Sequence, residues 1–79
     1  MPQLTLYHFI GCPYCTRVSN YMQQAGIKIP MKDTRADPKN REELVKIGGK
    51  GQVPCLVIDG KALYESNDII EWLKENWRK

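Results

Sequence analysis

Two cysteines stand three residues apart in Cys12-Pro13-Tyr14-Cys15, and the proline between them suits the first position inside a helix, where a missing N–H costs nothing. At a helix start this spacing puts both sulfurs on one side of the first turn, close enough to bond to each other. The two positions are not equivalent. Cys12 takes the cap position, where unpaired backbone N–H groups and the positive end of the helix dipole favour a thiolate over a thiol. Such placement lowers a cysteine pKa from about 8.5 into the range of roughly 3.5–7.5, leaving a thiolate that is still nucleophilic. Cys15, one turn further in, is expected to stay a thiol until it is needed. The chemistry this pair suits is thiol–disulfide exchange. Zinc is the first alternative, but zinc sites usually take a second ligand pair and only Cys55 and the lone His8 remain, so no metal is expected. Inert packing of the pair is the second alternative.

The elements that must position this pair can be read from the pattern on either side. Gln3-Leu4-Thr5-Leu6-Tyr7-His8-Phe9 is β-branched, aromatic and aliphatic, too short for a typical helix, and ends at Gly11, so it reads as a strand running into the cysteines. After Pro13, Val18, Tyr21, Met22 and Ala25 recur at helical spacing, and Gly26 is the stop. Ile27, Ile29 and Met31 alternate with Lys28, Pro30 and Lys32, which predicts a second short strand that Pro30 confines to a sheet edge. Asp37-Pro38 is a cap followed by a pre-set first helical residue; Leu44 and Ile47 mark the buried side of that helix, closed by Gly48-Gly49. Pro54-Cys55-Leu56-Val57-Ile58 reads as a strand covered on both faces, and Asp59-Gly60 as a hairpin turn before Lys61-Ala62-Leu63-Tyr64. Ser66 can cap a last helix with Ile69, Ile70, Leu73 and Trp77 on its apolar face and Glu71, Lys74 and Glu75 opposite. The order is βαβαββα.

Length and composition bound what such a chain can be. Its 79 residues have room for one domain, 1–79, and 42% apolar with 27% charged residues is a globular balance. No apolar run approaches the roughly 20 residues of a spanning helix, and Met1-Pro2-Gln3 leads into the first strand with no signal-peptide pattern, so a cytoplasmic protein with no membrane partner is expected. The net charge of +3 is scattered from Arg17 to Lys79 instead of forming a phosphate-tracking stripe, which argues against nucleic acid. Three cysteines leave one over from any closed disulfide framework. Cys55, in its apolar run, reads as a small buried hydrophobe, and His8 as a structural residue on a strand. No exposed apolar stripe beyond Trp72 is evident, and a monomer is expected.

Cys12-Pro13-Tyr14-Cys15 is the tetrapeptide most typical of glutaredoxins, and the chain resembles that family of the thioredoxin superfamily over nearly its whole length. Gln52-Val53-Pro54 looks like the family's Val-Pro, whose proline is cis, and Glu65-Ser66 looks like the glutathione-anchoring Glu-Ser of glutathione transferase N-terminal domains. The blend is similar to the N-terminal half of bacterial glutaredoxins that carry a transferase-like second domain, which these 79 residues do not contain. The resemblance implies a thioredoxin-like α/β fold with a four-stranded mixed sheet and three helices.

It further implies a glutathione-dependent disulfide oxidoreductase in which Cys12 attacks and Cys15 resolves. Tyr14 would flank the bound peptide, Val53 and Pro54 would meet its cysteinyl part, and Glu65 and Ser66 its γ-glutamyl end. Ser66 has an independent reason for that role, because a helix start presents N–H donors to a carboxylate. Partners would be glutathione itself and disulfide-containing or glutathionylated proteins. One departure is Phe9, where many glutaredoxins place a lysine for the glycine carboxylate; His8, Arg35 and Lys50 are the candidate replacements. Two alternatives stand beside this reading: an iron–sulfur carrier in which Cys12 and glutathione from two chains hold a cluster, a use that Pro13 stiffens against, and a glutathione-binding module whose cysteines do not turn over.

Overall fold

Alternation decides the first strand. In β1 (Leu4–His8) of this computed structural model, which describes residues 3–77, Leu4 and Leu6 point to one side and Tyr7 to the other, and all three are buried. The expected lead into the first strand at Met1-Pro2, and the last two positions of the 1–79 domain, lie outside the described residues. A strand buried on both faces sits in the middle of a sheet, and β1 does, between β2 (Met31–Asp33) and β3 (Cys55–Ile58), with β4 (Lys61–Tyr64) beyond in the order β2-β1-β3-β4. β1 runs parallel to β2 and antiparallel to β3, and β3 antiparallel to β4, so the sheet is mixed. Asp59 and Gly60 both have positive φ, 49° and 84°, which is the geometry of a tight hairpin turn whose twist matches its strands.

Helices cover both faces. On one, α1 (Pro13–Ala25) and α3 (Ser66–Asn76) bring Val18, Met22, Ile69 and Leu73 onto Leu4, Leu6 and Leu56. On the other, α2 (Pro38–Gly48) seats Leu44 against Tyr7, Cys55 and Val57. Each fully buried aliphatic side chain contributes about 1.5–3 kcal/mol relative to exposure, so the larger cluster under α1 and α3 dominates the stability of the fold. The Tyr7 hydroxyl donates to the Glu43 carboxylate at 3.2 Å, and Lys32 meets the same oxygen at 2.7 Å, tying α2 to β1 and β2. The thioredoxin-like βαβαββα arrangement with three helices is therefore the fold.

Four local expectations need correction. The second strand forms at Met31–Asp33 and not over Ile27–Met31: Ile27 and Ile29 are buried, but against α1 and the core outside any ladder, and contact with β1 begins only where the Leu6 N–H donates to the Pro30 carbonyl at 2.9 Å. Its place at the sheet edge agrees with Pro30. Ile47 is 38% exposed while Leu44 is fully buried. The buried side of α2 continues one position later, at Gly48, where a Cβ would overlap the Tyr64 hydroxyl and come within 2.8 Å of the Ala62 Cβ. Ser66 is the first helical residue of α3, not its cap; Glu65 holds the cap position. Trp72 packs half-buried against the larger core cluster, and among the described residues the exposed large apolar ones are Ile10, Tyr14, Met31, Val45 and Ile47.

Candidate active site

The strand β1 delivers the chain to Gly11, and Cys12 follows in extended geometry, φ −82° and ψ 119°, as the cap residue of α1 with Pro13 in its first turn. No side chain caps this helix start and no acidic residue sits in its first turn, so nothing competes with an anion at Cys12. The Thr16 N–H and hydroxyl both reach the Cys12 carbonyl at 3.0 Å, which fixes the turn. All three cysteines are free thiols and all are buried. Cys15 is 3% exposed, and burial pushes its pKa up to about 12; the Phe9 backbone opposes the rise, while the adjacent Cys12 and the Asp33 carboxylate add to it. It stays protonated at neutral pH, as its depth in the first turn suggested. Cys55 lies on the α2 face of the sheet, opposite Tyr7 in the ladder, with its pKa pushed up to about 11 by burial. It packs as a small apolar side chain.

Beside the start of α1 lies a cleft of about 320 Å³. Tyr14, Val53, Pro54, Glu65 and Ser66, which come from three separate stretches of sequence, all line it. Tyr14 is 63% exposed on the outer rim. The Val53–Pro54 peptide bond is cis, as the resemblance to a Val-Pro motif implied. Glu65 adopts φ 72° and ψ 120°, a conformation that costs a non-glycine residue on the order of 1–3 kcal/mol and persists only where its surroundings enforce it. The Gln52 amide reaches the Glu65 carboxylate at 3.4 Å across the cleft wall. The start of α3, like that of α1, has no side-chain cap.

Three further residues line the cleft: Arg17, Gln52 and Asn67. Arg17 supplies the cation there, and none of the three candidates for the missing lysine does. Arg35 stacks over the Phe9 ring at 4.2 Å, Lys50 sits 5.2 Å from the centre of the Tyr64 ring, and His8 faces a different hollow. Arg17 follows Tyr14 by three positions and so shares its face of the helix, but that spacing alone does not distinguish it from a solvated charge. Among the described residues, no three His, Cys, Asp or Glu side chains are gathered as metal ligands, and no helix is long and apolar enough to cross a membrane.

Known proteins align with this chain over its full architecture. Glutaredoxin 3 of Escherichia coli K12 is 26% identical over 69 residues, covering 87% of this chain and 83% of its own. The crystal structure of glutathione transferase Omega 3C from Trametes versicolor superposes with a TM-score of 0.79 at 30% identity, covering 95% of this chain but only 34% of the transferase. A glutaredoxin from Archaeoglobus fulgidus superposes with a TM-score of 0.73 at 21% identity, covering 94% and 88% of the two chains. The family described as "Glutathione S-transferase, N-terminal domain" matches residues 6–78. The chain therefore belongs to the glutathione S-transferase N-terminal domain family, within the thioredoxin superfamily that also contains the glutaredoxins.

Proposed function

We propose that this protein is a glutathione-dependent thiol–disulfide oxidoreductase that reduces protein disulfides and glutathione mixed disulfides through Cys12 and Cys15. The observation that carries the reading is the single cleft lined by Tyr14, Val53, Pro54, Glu65 and Ser66 beside an uncapped helix start that holds a cysteine. A tripeptide thiol with two carboxylates and one ammonium group suits that lining. The Val53 backbone pairs with its cysteinyl part as an added strand would, the N–H groups at the start of α3 and the Ser66 hydroxyl receive the γ-glutamyl carboxylate, and Glu65 attracts the ammonium. Arg17 adds a guanidinium for a carboxylate of the same peptide.

The reaction begins with the Cys12 thiolate attacking a disulfide and displacing the better leaving thiolate, so that Cys12 becomes mixed-disulfide bound. A second glutathione then attacks that bond, or Cys15 does so and leaves an internal disulfide that two glutathiones later reduce. No metal is needed for either route. The protein acts as a single domain, 1–79, and as a monomer in the cytoplasm, on disulfide-containing or glutathionylated proteins.

The transferase family match favours one second reading, a glutathione-binding module without turnover. Reduction of a glutathionylated substrate, coupled to glutathione and glutathione reductase, separates the two. Turnover that vanishes in Cys12→Ser supports the oxidoreductase; glutathione binding without turnover supports the module.

A further inference from the structure

Cys15, which is not among the residues lining the cleft, borders a separate, smaller hollow of about 230 Å³. His8 and Cys15 both line it. The placement follows from strand geometry. Leu4 and Leu6 face α1 and α3, so His8, two residues on, faces the same way. The parallel register pairs His8 with Asp33 and Leu6 with Met31, and paired residues share a face, so Asp33 stands on the α1 side as well. The Asp33 carboxylate accepts the Arg35 and Ala36 N–H groups at 2.8 and 2.9 Å. These two hydrogen bonds, with a smaller contribution from His8, hold it below the usual carboxylate range as a fixed anion.

The dithiol route sets a chemical demand at this place. Cys15 must lose a proton to attack, and burial holds it firmly as a thiol. The other functional groups of the hollow cannot take that proton. The Thr16 hydroxyl donates to the Cys12 carbonyl at 3.0 Å, the Ser19 hydroxyl donates to the Thr16 carbonyl at 3.1 Å, and neither is basic. Among the described residues, His8 is the one titratable side chain in the lining apart from Cys15, and the hollow has room for several waters at about 30 Å³ each.

We propose that His8 is the proton acceptor for Cys15 in the resolving step, taking the proton through water in the hollow that the two side chains share. As the Cys15 Sγ to Cys12 Sγ bond forms, the bond from Cys12 Sγ to the glutathione sulfur breaks. The electron pair leaves on glutathione as a thiolate, and the Cys15 proton passes to His8. The two cysteines are oxidised together and the departing thiol is reduced. Asp33 then faces an imidazolium and stabilises it. This rests on the thiol–disulfide reading above and assigns His8 to one of its two half-reactions only.

The test uses the reduced full chain mixed with glutathione disulfide, with rapid acid quench and mass spectrometry to follow first the mixed disulfide on Cys12 and then its conversion to the Cys12–Cys15 disulfide. If the wild-type protein never forms the mixed disulfide, the oxidoreductase reading fails before His8 is reached. With a competent wild type, His8→Gln and His8→Ala are expected to form the mixed disulfide at the normal rate, which also certifies their folding, and to convert it at least tenfold more slowly. Added imidazole should restore part of the second rate in His8→Ala. A second rate within tenfold of wild type, or an equal fall in both rates, overturns the assignment.

Discussion

The start of α2 and the starts of α1 and α3 face the same physical problem and meet it differently. Every helix begins with N–H groups that have no partner inside the helix. At α2, the Asp37 side chain accepts the Lys39 N–H at 3.0 Å and Pro38 removes one donor. At α1 and α3 the cap residues are Cys12 and Glu65, and neither makes a side-chain cap hydrogen bond. Glu65 is in addition held at positive φ. A side-chain cap contributes about 1 kcal/mol, so these two helices forgo stability that α2 keeps. The two uncapped starts are the ones that border the cleft, through Tyr14 and Ser66. α2 satisfies its own donors with a side chain, whereas α1 and α3 leave theirs open, where the proposed function places the sulfur of Cys12 and a carboxylate of glutathione.

The largest effect that tests this contrast lies at α1. Cys12→Ser should abolish disulfide reduction altogether, while Cys15→Ser should keep cleavage of glutathione mixed disulfides and lose the dithiol route to protein disulfides. Comparable activity in the two variants would remove the asymmetry between cap and first turn. At α3, replacing both Glu65 and Ser66 by Ala should raise KM for a glutathionylated substrate severalfold or more, equivalent to roughly 1–3 kcal/mol of lost binding. Attack on disulfides that lack glutathione should fall less, and a wild-type ratio between the two substrate classes would place the specificity elsewhere. At α2, Asp37→Ala should lower unfolding stability by about 1 kcal/mol in urea and leave the activity of the folded protein untouched. An activity loss there would break the comparison.

A further effect is confined to alkaline solution and leaves the comparison at neutral pH untouched. Cys15 and Cys55 have folded-state pKa values raised from 9.0 to about 12 and about 11, so the native state holds their protons more tightly than the unfolded chain. Their contribution is complete below pH 9 and is lost as pH rises through the folded values. Stability measured by urea unfolding should therefore decline from about pH 9 upward, and Cys15→Ser should flatten that decline.

The order of elements was legible because periodicity and punctuation agreed: Pro13 and Gly26 bracket α1, Asp37-Pro38 and Gly49 bracket α2, and Asp59-Gly60 turns the hairpin. Elsewhere one sequence signal had two physical causes. Ile27 and Ile29 alternate as a strand does, yet burial alone explains them, and no ladder forms until Met31. Ile47 took the place in the pattern that Gly48 occupies in space, because a bare backbone packed against Tyr64 leaves no apolar mark in a sequence. The cysteines announced themselves by spacing and the cleft residues by resemblance. Arg17 did not, since a lone cation on a helix looks like any solvated charge until Gln52 and Ser66 are brought opposite it.

In the proposed function, the uncapped starts of α1 and α3 receive glutathione. This is tested most directly by the amide NMR spectrum of Cys15→Ser before and after Cys12 is converted to its glutathione mixed disulfide. Shifts are expected at Val53, Ser66 and Asn67 and none at the capped start of α2, Asp37 to Lys39. Shifts at Ile10, Thr16 and Ser19 with Val53 and Ser66 unmoved would put the peptide on the other side of Cys12 and contradict it.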